Sequence, residues 1–400
     1  MRSVSKALAT VAIASTAAVL VAACGSNSSA GSFTKLSASK APKLSYTDFK
    51  LDFSAMSSIK ILASHGAGKV AVILPDTVSS TRYVEFDAPD LAKAMSDAGL
   101  PKSDQIIQNA QGSDATEYAD AQADITKGAK VLIMDPLDPA TGVKIEQYAK
   151  QHGVPVIDYD RLTLGGSRTY YVSFNNVLVG KTMGQGLVSC ISSWHVSKPQ
   201  VVVMHGAATD NNATQFAQGY DAVLNQKFHS GAWAAVAHTA GTWDPPTQET
   251  EFQAVYTAHP NTNAALVPND TTNAPIVTYL QSLHVKAKTF PTTGQDASLT
   301  GLQNILAGYQ CGTVYKPIYL EAQAAVALAM YLRAGITPPS SLVNGRVTDV
   351  DESAPVRSVL LRPEWVTPQR VESTVVRDGF VKASQICFSI TKDCTKYGIS

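Results

Sequence analysis

The chain has 400 residues, 45% apolar and 16% charged, with 32 basic and 32 acidic side chains. That length and balance suit a globular protein of two ordinary domains and argue against a disordered chain. They provide no basic field to attract nucleic acid, so that class of partner is set aside.

The first residues read MRSVSKALATVAIASTAAVLVAACGSNSSAGS. Arg2 and Lys6 precede an uncharged run from Ala7 to Ala23 that ends in small residues. This is the pattern of an export signal over residues 1–23. The run is short and alanine-rich beside the ~20 strongly apolar residues of a membrane-spanning helix. Its end, LVAAC, resembles the bacterial lipobox, in which the cysteine becomes the lipid-modified first residue of the mature chain. Cys24 is expected to carry that lipid, and GSNSSAGS to act as a flexible tether. The other reading is an ordinary cleaved signal with an incidental cysteine. Acyl chains plus tether place the protein outside the cytoplasmic membrane, exported and periplasmic or otherwise extracytoplasmic.

Beyond the signal, Cys190, Cys311, Cys387 and Cys394 remain. An even number of cysteines in an exported chain suggests disulfides. Cys387 and Cys394 are close in sequence and are expected to pair, which leaves Cys190 with Cys311. No CxxC or HExxH spacing occurs, and the histidines are scattered, so neither a metal nor another cofactor is expected.

From Lys69 the sequence alternates short β-rich runs with amphipathic ones. KVAVIL precedes a helical run near Val84 to Ala98. DQIIQNA precedes EYADAQADITKGA, and KVLIMD precedes TGVKIEQYAKQHG; VPVID and TYYVSF follow. A second set begins with NNVLVGKTMGQGLVSCISS. Its strands are PQVVVMHG, AWAAVAH and NAALVPND, with helices near Asn212 to Lys227, Thr247 to His259 and Thr272 to Leu283. Strands too continuously apolar for one exposed face, alternating with helices, predict parallel sheets covered on both sides. The expected fold class is therefore α/β, with two Rossmann-like units divided near Phe174.

In open parallel sheets, ligands bind beyond the carboxyl ends of the strands. The loops there read LPDTVSSTRY, MDPLDP, DYDRL, HGAATDNNA, TAGTWDPP, VPNDTTN, TTGQDAS and TVYKP. Nearly all carry Asp, Asn, Arg, Lys or an aromatic ring. Carboxylates accept bonds from hydroxyls, Arg and Lys donate to them, Asn does both, and rings cover C–H faces. That set suits a monosaccharide. In VPVIDYDRL, charged groups end a buried strand, which is costly unless something satisfies them. Asp160 and Arg161 are expected to grip adjacent hydroxyls and to neutralise each other in part. Asp135 and Asp138, in MDPLDP, read as turn formers.

The motifs YDR, DNNA, GQDA and TVYKP, in this order, resemble the periplasmic D-xylose-binding proteins of bacterial ABC sugar transporters, in the ribose- and galactose-binding group. The likeness runs from about Lys69 to Phe380. It implies a type 1 periplasmic binding protein, with two lobes joined by a three-strand hinge and the sugar held where they close. By motif it implies ligand contacts from Asp160 and Arg161 (YDR), Asn212 (DNNA), Asn269 (PND), Asp296 (GQD) and Lys316 (VYKP), with Trp243 stacking on the sugar. Asn211 competes with Asn212 for its place. Asp210 is a candidate helix cap, and Asp270 is a better-placed cap than Asn269. Arg82 and Tyr83 stand where the family has an Arg–Trp pair, and Tyr for Trp is a departure that gives a smaller ring and an added hydroxyl.

The implied division is a signal over 1–23, a tether and N-terminal extension over 24–65, an N-terminal lobe of 66–174 plus 314–355, and a C-terminal lobe of 175–313 plus 356–400. The implied function is that of a monomeric, lipid-anchored, non-enzymatic binding protein that delivers a monosaccharide to an ABC permease. Two other readings are an exported glycosidase using cleft carboxylates and a sugar-sensing receptor. Against the glycosidase, Arg161 should lower the pKa of its neighbour Asp160 and spoil it as a general acid.

Overall fold

The computed structural model describes residues 36–400. The expected signal and Cys24 lie outside the described residues. Two short helices, α1 (Ser54–Ser57) and α2 (Lys60–His65), come first. Then follow β1 (Lys69–Leu74), α3 (Ala88–Asp97), β2 (Gln105–Asn109), α4 (Asp114–Thr126), β3 (Ala129–Met134), α5 (Pro139–Gln151), β4 (Val156–Tyr159) and β5 (Tyr170–Phe174). The next set is α6 (Asn176–Ser193), β6 (Gln200–Val203), α7 (Asn211–His229), β7 (Ala234–His238), α8 (Pro245–Ala258), β8 (Ala264–Leu266), α9 (Asp270–Ser282), α10 (Leu299–Ala307) and β9 (Thr313–Tyr315). Last come α11 (Ile318–Arg333), β10 (Gly345–Asp349), β11 (Ala354–Leu361), β12 (Glu364–Val366), α12 (Ala383–Ile386) and α13 (Thr391–Tyr397).

The first sheet has the order β10-β11-β5-β4-β3-β1-β2. It is parallel except for the antiparallel edge pair β10–β11. β1 reads KVAVIL with every residue after Lys69 buried, because helices cover both faces. The second sheet is parallel in the order β7-β6-β8, and bridges at Ala265–Thr292 and Gln295–Val314 carry it on toward β9 and β12. Asp138, as expected, is a turn and cap residue: its carboxylate accepts from the first N–H groups of α5. In the second lobe α6 and α7 meet backbone to backbone. A Cβ at Gly180 or Gly219 would collide with main-chain atoms of the facing helix, so glycine is required at both contacts.

The chain passes from the first sheet to the second after β5, returns after β9 into α11, and crosses again after β11 into β12. The lobe boundary expected between residues 355 and 356 falls inside β11, which pairs with β5 over Ser358–Leu361. The described part of the expected N-terminal extension is folded onto the first lobe. Phe53, Met56, Ile59 and Leu62 recur at helical spacing, and all are buried in the core shared with α3 and α11. The structure bonds Cys190 to Cys311, with Cα atoms 6.0 Å apart, and Cys387 to Cys394, with Cα atoms 5.7 Å apart. No helix among the described residues is long and apolar enough to cross a membrane.

Candidate functional site

Strands of both lobes deliver polar residues to one place between them. The loop after β1 brings Ser79, Ser80, Arg82 and Tyr83, and the turn after β4 brings Asp160 and Arg161. From the second lobe come Asp210 and Asn212 at the start of α7, Trp243 after β7, Asn269 after β8, and Gln295 and Asp296. Lys316 follows β9 on a crossing segment. All of these, with Phe216 of α7, line one cavity. The structure thus brings together all nine residues singled out from the sequence as ligand contacts. The cavity is about 20 Å³, room for little more than a water molecule, so a larger ligand enters only as the loops part. A larger groove of about 520 Å³ lies beside Cys190–Cys311. It is lined by Trp194, Trp365 and Tyr397 and contains no carboxylate.

The floor of the cleft is a buried charge network. Asp160 has φ 56°, a left-handed backbone that Asp tolerates better than most residues. Its Oδ1 accepts from Arg82 Nη1 at 2.9 Å, and its Oδ2 accepts from the Tyr83 hydroxyl at 3.4 Å. Lys316 Nζ lies 3.7 Å from Asp160 and 3.1 Å from Asp296. Burial alone would raise the Asp160 pKa, but Arg82, then Lys316 and Arg161, bring it down to about 2. Asp160 therefore stays ionised at any physiological pH. For Lys316, burial works against the charge, and Asp160 and Asp296 outweigh it, so the ammonium is held above its ordinary value.

Asp160 and its sequence neighbour neutralise each other in part, since Arg161 is among the cations that lower the Asp160 pKa, but among the described residues they share no hydrogen bond or ion pair. Arg82, not Arg161, is the guanidinium paired with Asp160. Arg161 points elsewhere, 3.6 Å from Asp210 and 3.7 Å from Asp135, and donates to the Tyr83 hydroxyl at 3.1 Å. The added hydroxyl of Tyr83 accordingly links Arg161 to Asp160. Arg82 is fully buried and held by two bonds to Asp87, at 2.8 and 2.7 Å, and one to Glu321 at 2.7 Å. Burial is the main reason that the Glu321 carboxyl is pushed up to about 8, opposed by Arg82.

Asp210 and Asn269 each serve twice. Asp210 caps α7 through the Asn212 N–H, while its Oδ2 accepts the Trp243 indole N–H at 3.0 Å. Asn269, and not Asp270, caps α9 by accepting from the Thr272 N–H. Its amide also donates to the Ser79 carbonyl across the cleft at 3.0 Å. Asp270 is instead buried against Gln310 and the Ser298 N–H. Asn212, rather than Asn211, faces the cleft and donates to the Asp160 carbonyl at 2.9 Å. Asp135 is fully buried against Arg161, a setting that a turn-forming residue does not need.

Sequence reasoning missed Ser79, Ser80, Asp210 as a lining residue, Phe216, Gln295 and the supports Asp87 and Glu321. Ser80 donates to Asp296 Oδ2 at 2.8 Å, a bond between the lobes. Asp296 Oδ1 is buried and lies 3.1 Å from the Lys316 ammonium, so Ser80 and Lys316 each hold one oxygen of this carboxylate. Ser79 and Ser80 sit in the same SSTRY run as Arg82, and Asp210 begins DNNA. The signal for these was adjacency to residues already chosen. Glu321 lies in an apolar helix with no local sign of its partner. No group of three or more His, Cys, Asp or Glu among the described residues is placed to hold a metal ion.

Comparison with known proteins identifies the family. The periplasmic binding protein domain profile matches residues 70–337. The chain is 31% identical over 284 residues to the D-xylose-binding periplasmic protein of Escherichia coli (strain K12), covering 70% of this chain and 82% of that protein. It is 28% identical to the multiple sugar-binding periplasmic protein SbpA of Azospirillum brasilense, covering 79% and 90%. The fold matches the crystal structure of a carbohydrate transporter solute binding protein from Chloroflexus aurantiacus in complex with D-glucose. That match has a TM-score of 0.70 and 27% identity, and covers 79% of this chain and 97% of the other. With its two mostly parallel sheets, three crossings and a polar cleft at the strand ends, the chain belongs to the periplasmic binding protein family.

Proposed function

We propose that the protein binds one monosaccharide, D-xylose or a related aldose, in the cleft between its lobes and hands it to an ABC permease. The observation that carries this reading is the convergence of Arg82, Asp160, Asn212, Asn269, Asp296 and Lys316, drawn from both lobes, on one cavity. Charge-assisted bonds from such groups to sugar hydroxyls are the stronger ones, roughly 1.5–3 kcal/mol each. Trp243 and Phe216 supply apolar surface for the C–H faces of the ring.

Binding proceeds by closure. Ser80–Asp296, Asn269–Ser79 and Asn212–Asp160 cross between lobes. A sugar that satisfies the same donors and acceptors favours the closed form over the open one. The reading excludes turnover. Asp160, near pKa 2, has no proton to give as a general acid at neutral pH. The relatives named above are sugar-binding transport proteins. Lipid attachment at Cys24, an extracytoplasmic location and a monomeric state belong to the same reading.

Calorimetric titration with pentoses and hexoses tests it. Saturable binding that is lost in Asp160→Asn and Asp296→Asn supports the cleft as the site, and full affinity in both variants would refute it.

A further inference from the structure

The ribbon β10–β11 forms one edge of the seven-stranded sheet, and its register sets Arg346 directly opposite Arg357. Both side chains are exposed. Like charges at directly opposed positions destabilise a ribbon. Among the described residues neither arginine is relieved by a hydrogen bond or an ion pair. Arg357 lies over the ring of Tyr170 on the adjacent strand, 4.4 Å from its centroid. Stacking occupies a guanidinium face and leaves its N–H groups free to donate in the plane.

The two arginines wall an open groove of about 720 Å³ with Tyr170, Thr337 and Ser340, and no acidic residue lines it. The hydroxyls of those three residues also make no hydrogen bond within the described structure. The groove therefore presents two forked cations and a set of hydroxyl donors with no carboxylate to compete for them. We propose that it is a binding site for a phosphate-type oxyanion, separate from the cleft. Paired guanidinium groups match such an anion in charge and in bidentate geometry. Two sources share this chemistry: free phosphate and a phospholipid headgroup. The second is relevant on the proposed lipid attachment, because the segment entering from the N-terminal side passes close to the groove: Ser341, next to the lining residue Ser340, donates to the Leu44 carbonyl at 2.8 Å.

The test compares the full chain with its Arg346→Gln/Arg357→Gln double variant at low salt. One arm is calorimetric titration with inorganic phosphate. The other is co-sedimentation with phosphatidylglycerol and with phosphatidylcholine vesicles; both proteins carry the same N-terminal segment, so its own lipid affinity cancels. The expected result is wild-type binding in at least one arm, weakened about tenfold or more in the double variant, with a thermal unfolding temperature no lower than that of the wild type. Phosphate binding alone assigns a free anion, and preference for phosphatidylglycerol assigns a headgroup. Arg346→Lys/Arg357→Lys keeps the charge and loses the forks, and is expected to bind more weakly than wild type. No binding in either arm, or undiminished binding in the glutamine or the lysine variant, overturns the proposal.

Discussion

Arg82 Nη1 donates to Asp160 Oδ1 at 2.9 Å, joining two buried side chains 78 residues apart in the chain. The cleft depends on this contact. Arg82 is fixed from behind by Asp87 and Glu321, so Asp160 faces the cavity as an ionised, oriented acceptor.

Asp160→Asn keeps the shape and removes the charge. Arg82 and Lys316 then lose a buried partner, and on the proposed binding mode a sugar hydroxyl loses an ionised acceptor. Breaking one side of a buried charged contact costs roughly 2–5 kcal/mol in binding. Calorimetry is therefore expected to show an affinity loss of about 30-fold or more, and a loss below threefold would contradict the assignment.

Two carboxyls set opposite pH dependences. Asp160 falls from 3.8 to about 2 on folding. Its contribution to stability is present above about pH 4 and is lost as pH falls toward 2. Glu321 rises from 4.5 to about 8, so the folded state binds the extra proton. Its contribution is complete below about pH 4.5 and is lost as pH rises through 8. Thermal unfolding of Glu321→Gln is expected to fall less steeply between pH 5 and 8 than that of the wild type. Identical slopes would remove Glu321 as the titrating group.

Trp243 packs against Gly206, where an added Cβ would strike the indole ring. Gly206→Ala is expected to push the ring out of place and to weaken sugar binding. Trp243→Ala should cost about tenfold or more in affinity, and Trp243→Phe less, because it keeps a ring and loses only the bond to Asp210. Wild-type affinity in all three variants would show that the ring does not touch the sugar.

The Cys190–Cys311 bond closes a separation of 121 residues, and Cys387–Cys394 closes one of 7. Loop-entropy arguments give the long closure roughly 2–5 kcal/mol and the short one less. Chemical denaturation of Cys190→Ala/Cys311→Ala is expected to show the larger loss of stability, with sugar affinity retained. A larger loss from Cys387→Ala/Cys394→Ala would reverse that ranking.

The sheets were legible because buried parallel strands such as KVAVIL and KVLIMD carry continuous apolar runs that leave little alternative. The cleft residues were legible for a related reason: a helix start after a strand end places its cap at the ligand face. That is why Asp210 and Asn269 turned out to cap and to line at once. Long-range pairings were not legible. Arg161 adjoins Asp160 in sequence, yet the left-handed turn at Asp160 accompanies their separation, and Arg82 from another loop takes the contact. Glu321 could not be found because its partner is 239 residues away. The lobe boundary expected between residues 355 and 356 falls inside β11 because that strand stays in the first sheet up to the last crossing, and no local pattern marks a strand's choice of sheet.

Titration of the purified chain with D-xylose, D-glucose and other monosaccharides, with the sugar recovered afterwards and analysed by NMR, tests the central claim most directly. The account predicts saturable binding of one sugar per chain and recovery of that sugar unchanged. No binding of any monosaccharide, or recovery of a chemically altered product, would contradict it.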